Sequence, residues 1–276
     1  MKLDEIGDWS LDKLEILKRY AEKYSAVLAS QDGREGKAKL KHGYIDGFAG
    51  AGQHIAKSTK GIVPGSPLNA LSIKPEFDEY HFVELNPERV DNLKALANGR
   101  TNVHVHHGNC NQVLLKTVFP RFRYEDFRRG LCFLDPYGMQ LNWEVIAKAG
   151  QMGTIEIFLN FPIMDINRNV KHPGAKQADK DRFTAFWGDT SWNQALTMET
   201  GQYDLFSGGI EKTKADNEWI VAEFRRRLKE VAGFKFVPEP VAMKIPEGAV
   251  VYYLFFAGNN GTGDKIARHV LNLYRH

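Results

Sequence analysis

The sequence has few cysteines, no long apolar run and no strong excess of charge. Its two cysteines, Cys110 and Cys132, cannot make a four-ligand zinc site, and with no secretory apolar region before them they predict a reduced, cytoplasmic setting. No apolar run approaches the roughly 18 residues that a membrane span requires. The formal charge of +3 permits a nucleic-acid partner without demanding one. We therefore expect one globular domain over residues 1 to 276.

The clearest local signal is the stretch from His42 to Gly52. An apolar strand ends at Asp46, and three glycines follow in the next six residues, which lets the backbone turn sharply and approach a ligand closely. The stretch lacks the Gly-Lys-Ser/Thr of a phosphate-binding loop, which disfavours ATP. Its glycines are not spaced as G-x-G-x-x-G, which disfavours a nicotinamide dehydrogenase. The pattern predicts a site for another nucleotide-like cofactor.

A second apolar run ends in an acid at Glu84. A carboxylate at the end of the second strand of a doubly wound sheet can accept hydrogen bonds from both hydroxyls of a ribose. Glu84 lies 38 positions after Asp46, farther than the usual spacing of about 20. The loop at 53–65 must absorb the difference, and the sequence leaves open whether this loop closes over the cofactor or is a simple insertion.

The third run, residues 103 to 107, alternates like a strand and leads to Asn109. It contains three histidines, of which His104 and His106 share one strand face and His107 takes the other. Because no cysteine or acid cluster stands at ligand spacing, we predict a structural role for them and no metal.

The fourth run is continuously apolar, as in a buried parallel strand, and breaks at Asp135, Pro136, Tyr137 and Gly138. Ligands of open α/β sheets bind outside the carboxyl ends of the strands. We therefore expect Asp135 and Tyr137 to face the same site as Asp46, although an Asp-Pro turn alone would also end a strand.

The remainder of the chain completes an α/β pattern. A fifth strand at 154–162 precedes a segment at 163–210 in which aromatic and basic residues are interleaved. Then follow a helix at 218–231, two strands at 234–245 and 249–257 joined by a short turn, and a last helix. The 163–210 segment suits recognition of a base-containing substrate, but a helical subdomain with its own aromatic core explains it equally well. Basic and aromatic residues also mix at 121–129, where they suit either phosphate contacts or a solvated helix face.

These motifs, in this order, resemble those of class I S-adenosylmethionine (SAM)-dependent methyltransferases. The resemblance implies a Rossmann-like, mostly parallel seven-stranded sheet with a terminal antiparallel hairpin and an insertion after the fifth strand. It also implies that Glu84 binds the ribose and Asn109 the adenine amine. The methionine half would be held by the glycine turn and its acid, which comprise Asp46, Gly47, Phe48, Ala49, Gly50 and Gly52.

The turn at Asp135 resembles the Asp/Asn-Pro-Pro-Tyr/Phe signature of amino-methyltransferases that act on adenine or cytosine amines. The resemblance gives Asp135 and the carbonyl of Pro136 the acceptor role toward the target amine, and gives Tyr137 a stacking role. The chain departs from the signature in having one proline and a following Gly138.

Over its whole length the chain resembles the three-Cys-motif partner proteins (TcmP). The similarity rests on the motifs above together with an opening amphipathic helix from Leu14 to Tyr24, the triplet Gly65, Ser66 and Pro67, and the late run at 251–254. It implies a Cys-rich, radical-SAM-like neighbour protein as a partner.

The function that we expect is N-methylation of an exocyclic amine on DNA or RNA. Two alternatives stay open: a peptide or small metabolite as acceptor, and a non-catalytic SAM-binding partner subunit.

Overall fold

The computed structural model describes residues 3–31, 39–172, 174–204 and 209–275, and describes no side chain between 198 and 212. Its strands, in chain order, are β1 (Glu5–Ile6), β2 (Lys41–Asp46), β3 (Gln53–Ala56), β4 (Ile62–Pro64), β5 (Glu79–Glu84), β6 (Val103–His107), β7 (Arg128–Leu134), β8 (Ile155–Phe161), β9 (Thr197–Asp204), β10 (Gly209–Lys214), β11 (Val241–Lys244) and β12 (Val250–Ala257). Its helices are α1 (Asp8–Ala29), α2 (Ser66–Ser72), α3 (Pro87–Ala97), α4 (Cys110–Val113), α5 (Trp143–Met152), α6 (Ile163–Asn169), α7 (Gln177–Trp187), α8 (Trp192–Ala195), α9 (Asn217–Glu230) and α10 (Gly261–Asn272).

Seven strands form the main sheet in the order β11-β12-β8-β7-β2-β5-β6. The five strands from β8 to β6 in that order run parallel to one another. β12 is antiparallel to β8, and β11 is antiparallel to β12. The prediction of an α/β, mostly parallel seven-stranded sheet is thus confirmed. The order of connection reverses beside β2, which makes the carboxyl end of β2 the switch point where such sheets bind ligands.

The central strands are apolar on both faces because helices cover both sides of the sheet. Along β7, Leu131 and Phe133 pack with α1, α2 and α10, whereas Cys132 and Leu134 pack against α5 to α9 on the other side. This period of two gives three layers, with a separate core on each side of the sheet. None of the helices in the described ranges is both long and apolar enough to cross a membrane.

The loop at 53–65 forms part of a second, small sheet. β3 pairs antiparallel with β4 and parallel with β1 at the start of the chain. The Ile55 N–H donates to the Asp4 carbonyl at 3.0 Å. The chain before α1 is therefore held against the segment that follows the glycine turn.

The predicted insertion at 163–210 contains α6, α7, α8 and β9, and the antiparallel pair of β9 and β10 lies at its end. Residues 173 and 205–208 of this segment lie outside the described residues. Phe183, Phe186 and Trp187 are buried in the core formed with α5 and α9. These described aromatics serve packing, as in the helical-subdomain interpretation.

Candidate cofactor and acceptor site

The carboxyl ends of four neighbouring parallel strands bring the predicted site residues to one edge of the sheet. β2 ends at Asp46, β5 ends at Glu84, β6 is followed by Asn109 and β7 by Asp135. β2 lies between β5 and β7, so the turn at Asp46 has the other two strand ends on either side. The expected juxtaposition of the Asp46 and Asp135 segments is present.

Hydrogen bonds to both neighbouring strands hold the glycine turn. The Gly47 N–H donates to the Phe133 carbonyl at 2.9 Å, and the Ala49 N–H donates to the Val83 carbonyl at 3.0 Å. A Cβ on Gly47 would lie 3.0 Å from Cys110 Sγ, so a larger residue there would push the two segments apart. Gly50 and Gly52 follow with φ of 62° and 79°, a backbone region that glycine adopts at little cost.

Asp46 is fully buried under this turn. Its Oδ1 accepts from the Phe48 N–H at 3.1 Å, and its buried Oδ2 has no hydrogen bond of normal geometry within the described part of the chain. Burial raises the pKa of Asp46 to about 7, and the Asp135 carboxylate adds to the rise. The Ser66 hydroxyl and the Phe48 N–H act in the opposite direction and lower this pKa. Asp46 has no exposed surface, so it can affect the site only through the shape of the turn and through its charge.

The first of two cavities beside the turn has a volume of about 510 Å³, within the usual range for small-molecule sites. Glu84 and Asn109 both line it, together with Gly47 and Phe48 of the turn. Glu84 is buried, and its Oε1 accepts from the Asn86 N–H at 2.7 Å. Asn109 is exposed at the cavity wall, where its Oδ1 caps α4 by accepting from the Asn111 N–H at 3.0 Å.

The second cavity has a volume of about 260 Å³ and lies on the other side of Phe48 and Tyr137, which line both cavities. Its wall combines Gly50 and Ala49 of the turn with polar side chains from distant parts of the chain. These are Asp4, Glu5, Ser10, Lys13, His54, Ser66 and Asp135. The two cavities together offer room for a cofactor and for a group that reacts with it.

Asp135 is held from two sides. Its Oδ2 forms an ion pair with Lys13 of α1, and its Oδ1 accepts from Asn160 Nδ2 at 2.8 Å. Burial alone would lower the pKa of Lys13, but the Asp135 carboxylate outweighs it and raises that pKa. Each carboxylate oxygen has two lone pairs, so Asp135 can still accept a hydrogen bond from a ligand.

Tyr137 stands between the cavities and is tied to the beginning of the chain. Arg89 Nη1 donates to its hydroxyl at 2.8 Å, and that hydroxyl donates to Asp4 Oδ2 at 3.2 Å. Arg89 Nη2 also donates to both carboxylate oxygens of Asp4, at 2.9 and 2.8 Å. The ring of Tyr137 is thereby fixed, although 59% of the residue is exposed. Pro136 beside it is buried and lines the second cavity.

The sequence did not indicate six polar residues of this site: Asp4, Lys13, His54, Ser66, Arg89 and Asn160. Lys13, Arg89 and Asn160 lie in helices or strands whose apolar pattern predicts only their packing, and Asp4 precedes β1. Ser66 contributes only to the TcmP resemblance, and His54 lies in the loop at 53–65, whose role the sequence leaves open. No local pattern marks them, because only the fold places them beside Asp135 and Tyr137.

Two histidines of β6, His104 and His106, lie in a network with Glu79 and His81 of β5. His107 is not part of it, since its Nε2 lies 3.0 Å from the Leu85 carbonyl oxygen. The ligand atoms of Glu79, His81 and His104 lie within 4.8 Å of one another. The His81 and His104 rings are stacked, however, with centroids 4.9 Å and planes 23° apart. A single ion cannot lie in both ring planes, where the nitrogen lone pairs point. The prediction of no metal stays a prediction.

Glu79 is in addition engaged by arginines. Arg121 Nη2 donates to its Oε2 at 2.9 Å, and Arg128 Nη1 donates to its Oε1 at 2.5 Å. Burial would raise the pKa of Glu79, but hydrogen bonds from His81 and Arg121 and the charge of Arg128 lower it to about 2. The carboxylate is thus already compensated by two cations.

The basic and aromatic segment at 121–129 leads into the beginning of β7, whereas Asp135 follows its end. A strand of seven residues spans about 20 Å. Tyr124 is 66% exposed, and the Arg129 guanidinium lies 4.5 Å from its ring centroid. This segment is therefore too far away to hold a base in either cavity.

No protein-family model and no curated protein sequence matches the chain. Among solved structures, it is similar to a Legionella pneumophila protein of the family described as DUF519, with 12% identity, a TM-score of 0.48, and coverage of 95% of this chain and 92% of that one. A proposed methyltransferase from Thermobifida fusca has 10% identity and a TM-score of 0.45, with coverage of 91% and 81%. Aeropyrum pernix fibrillarin, solved with natively bound S-adenosyl-L-methionine, has 11% identity and a TM-score of 0.36, with coverage of 87% and 76%.

Proposed function

We propose that the chain is a SAM-dependent methyltransferase that transfers a methyl group to an amine nitrogen, with an exocyclic amine of a nucleic-acid base as the first acceptor to test. One observation carries the proposal: the turn after Asp46 lines two adjoining cavities, one with Glu84 and Asn109 and the other with Asp135. The first cavity would take the nucleoside of the cofactor, and the second lies next to it for the reacting groups.

The residues present suit the cofactor. Glu84 would bind the ribose hydroxyls, because one of its oxygens is already fixed by Asn86 and a carboxylate can accept further bonds. Asn109 would face the adenine amine, as the resemblance implies. Asp46 would favour the cationic methionine end by its charge, since a nearby cation favours the ionised carboxyl.

The acceptor end depends on Asp135. SAM supplies an electrophilic methyl group, so the protein contributes mainly alignment and charge stabilisation. Lys13 and Asn160 fix the orientation of the Asp135 carboxylate, which leaves its remaining lone pairs for the amine. Tyr137, held by Arg89 and Asp4, would present its ring to the acceptor base.

The test is incubation with methyl-labelled SAM and separated DNA, RNA, protein and small-molecule fractions of a cell extract. We expect label in nucleic acid, and we expect Asp135→Ala to abolish it while calorimetry still detects SAM binding. Asp126→Ala is the matched control, because Asp126 is an acid just before the beginning of β7, whereas Asp135 follows the end of that strand. Absence of SAM binding by the wild type would refute the proposal, and retained transfer by Asp135→Ala would refute the role of Asp135.

A peptide or small-metabolite amine is the second candidate acceptor, and one observation favours it. The arginine-rich segment at 121–129 lies about 20 Å from Asp135 along β7, so it gives the cavities no adjacent phosphate-binding surface. Label in the protein or small-molecule fraction, with little dependence on salt, would select this candidate. Steep loss of transfer with added salt would favour nucleic acid.

We further propose, from the resemblance to the TcmP proteins, that a Cys-rich, radical-SAM-like protein is a partner. Co-purification with that neighbour tests this. Co-purification together with SAM binding but no transfer to any fraction would favour the non-catalytic subunit.

A further inference from the structure

His54 of β3 is an unsatisfied histidine in the wall of the second cavity. Its Nδ1 is buried and has no hydrogen-bond partner among the residues that the structure describes. Because Nδ1 is enclosed, Nε2 is the ring nitrogen that a group in the cavity can reach.

The surroundings of His54 are those of a reacting group. It lines the same cavity as Asp135, Lys13 and Tyr137. Its Nε2 lies beside the backbone of Gly65, where an added Cβ would be 3.1 Å away. The next residue, Ser66, also lines the cavity, so this edge of the ring is next to the cavity space.

The charges around His54 keep it neutral. Burial lowers its pKa from 6.5, and the Lys13 cation lowers it further. The carboxylates of Asp4 and Asp135 raise the pKa of His54, and the Arg89 cation lowers it as Lys13 does. Glu5 and Tyr137 also face the cavity. A neutral imidazole has a free lone pair with which to accept a proton.

The other polar groups of the cavity are poorly suited to this step. Lys13 is protonated and paired with Asp135. Asp135 already has one oxygen on Lys13 and the other on Asn160. Asp4 is paired with Arg89, Glu5 is paired with Lys60, and the Tyr137 hydroxyl donates to Asp4. Among the described side chains of this wall, His54 is the titratable group whose lone pair is not already engaged.

We propose that His54 is a further catalytic residue, which accepts at Nε2 the proton that the acceptor amine loses. The inference depends on the proposed methyl transfer. The nitrogen lone pair forms the new C–N bond while the C–S bond breaks and its electron pair stays on sulfur. The methylated nitrogen then carries a positive charge, and its proton passes to His54, which leaves a neutral methylamine and an imidazolium ion.

The test compares His54→Gln, which keeps a polar side chain but cannot titrate, with His269→Gln, at an exposed position of α10. Methyl transfer is measured from pH 5 to 9 with whichever extract fraction the wild type labels. Loss of a proton acceptor should slow transfer about 100-fold or more. The wild-type rate should rise with pH to a plateau, with a midpoint below 6.5, and this rise should be absent in His54→Gln. His269→Gln should match the wild type.

Three further measurements separate chemistry from structure. Added imidazole should restore part of the rate of His54→Ala, and NMR of labelled histidine should show a resonance that titrates below pH 6.5 in the wild type and is missing in the variant. SAM binding measured by calorimetry should be unchanged.

An unchanged rate and pH profile in His54→Gln would overturn the inference while leaving the methyltransferase proposal intact. Loss of SAM binding in that variant would also overturn it, because His54 would then serve the cofactor. If the wild type binds no SAM, the methyltransferase proposal itself fails.

Discussion

Lys13 and Asp135 form an ion pair although they are 122 positions apart in the sequence. The Lys13 side chain is only 8% exposed, and its Nζ lies 5.1 Å from the ring centroid of Tyr252 and 5.8 Å from that of Phe133. The first helix therefore does more than cover the sheet. It supplies a buried cation that fixes the carboxylate at the end of β7.

Replacing Lys13 with Met should weaken both stability and transfer. The substitution leaves Asp135 without its cation, and Asp135 is partly exposed, so we expect a loss of about 1 to 3 kcal/mol in the free energy of unfolding. Transfer should fall at least about tenfold, because the carboxylate is no longer aligned. Urea unfolding and the labelled-SAM assay measure these effects. Lys23→Met, on the exposed face of the same helix, should change neither.

Asp46→Asn should stabilise the ligand-free protein at high pH. The folded-state pKa of Asp46 is raised from 3.8 to about 7, so the folded protein keeps a proton that the unfolded chain releases. Stability is unaffected at pH values below the unfolded pKa, is lost as pH rises from about 4 to 7, and stays low above that. This pKa shift corresponds to an upper bound of about 4 kcal/mol on the free energy of unfolding that the wild type loses. The free energy of unfolding should be measured at pH 5 and pH 8. The variant should exceed the wild type, and the difference should be larger at pH 8.

Glu156→Gln is the matched comparison for Asp46→Asn. Glu156 is also buried, accepts a hydrogen bond from Tyr20, and has its pKa raised to about 7 by burial, against the Tyr20 hydrogen bond. Its replacement should have the same pH-dependent effect on stability but leave SAM affinity unchanged. Equal SAM affinity in both variants would contradict a role for Asp46 in cofactor binding.

SAM affinity should rise with pH up to about 7. The cationic methionine end favours ionised Asp46, so binding at lower pH must release a proton from it. Above pH 8 the α-amino group itself deprotonates, which ends the rise. Calorimetry in two buffers of different ionisation enthalpy would detect the released proton at pH 6. A proton count of zero there, or the same count in Asp46→Asn, would contradict this prediction.

The sequence predicted the sheet and the strand-end residues because both depend on local pattern. Asp46, Glu84 and Asp135 each break an apolar run, and parallel strands must bring such breaks to one edge. Lys13 gives no such signal, since in sequence it is one of several lysines on an amphipathic helix. It is buried only because α1 packs over the end of β7.

Segment boundaries were less predictable for a related reason. Between β6 and β7 the chain forms the short α4 followed by π-helical and 3₁₀ turns, Leu114–Val118 and Phe119–Arg121, and no periodic pattern marks these divisions. The strand expected from 234 begins at Val241, and Phe236 makes only an isolated bridge to Gly258. The loop at 53–65 pairs with β1, a contact across about 50 positions that no local pattern could predict.

Arg89→Met should weaken cofactor retention more than Tyr137→Phe does. Arg89 holds both the Tyr137 hydroxyl and the Asp4 carboxylate at the wall shared by the two cavities, so its loss frees the beginning of the chain from the site. Tyr137→Phe removes only the hydroxyl bonds and keeps the ring and the Arg89–Asp4 pair. We expect Kd for SAM to rise about tenfold in Arg89→Met, equivalent to about 1.4 kcal/mol, mostly through faster dissociation in stopped-flow experiments.

Arg19→Met, which breaks an exposed pair with Glu15, should leave Kd unchanged. Equal Kd values for Arg89→Met and the wild type would show that this contact does not retain the cofactor.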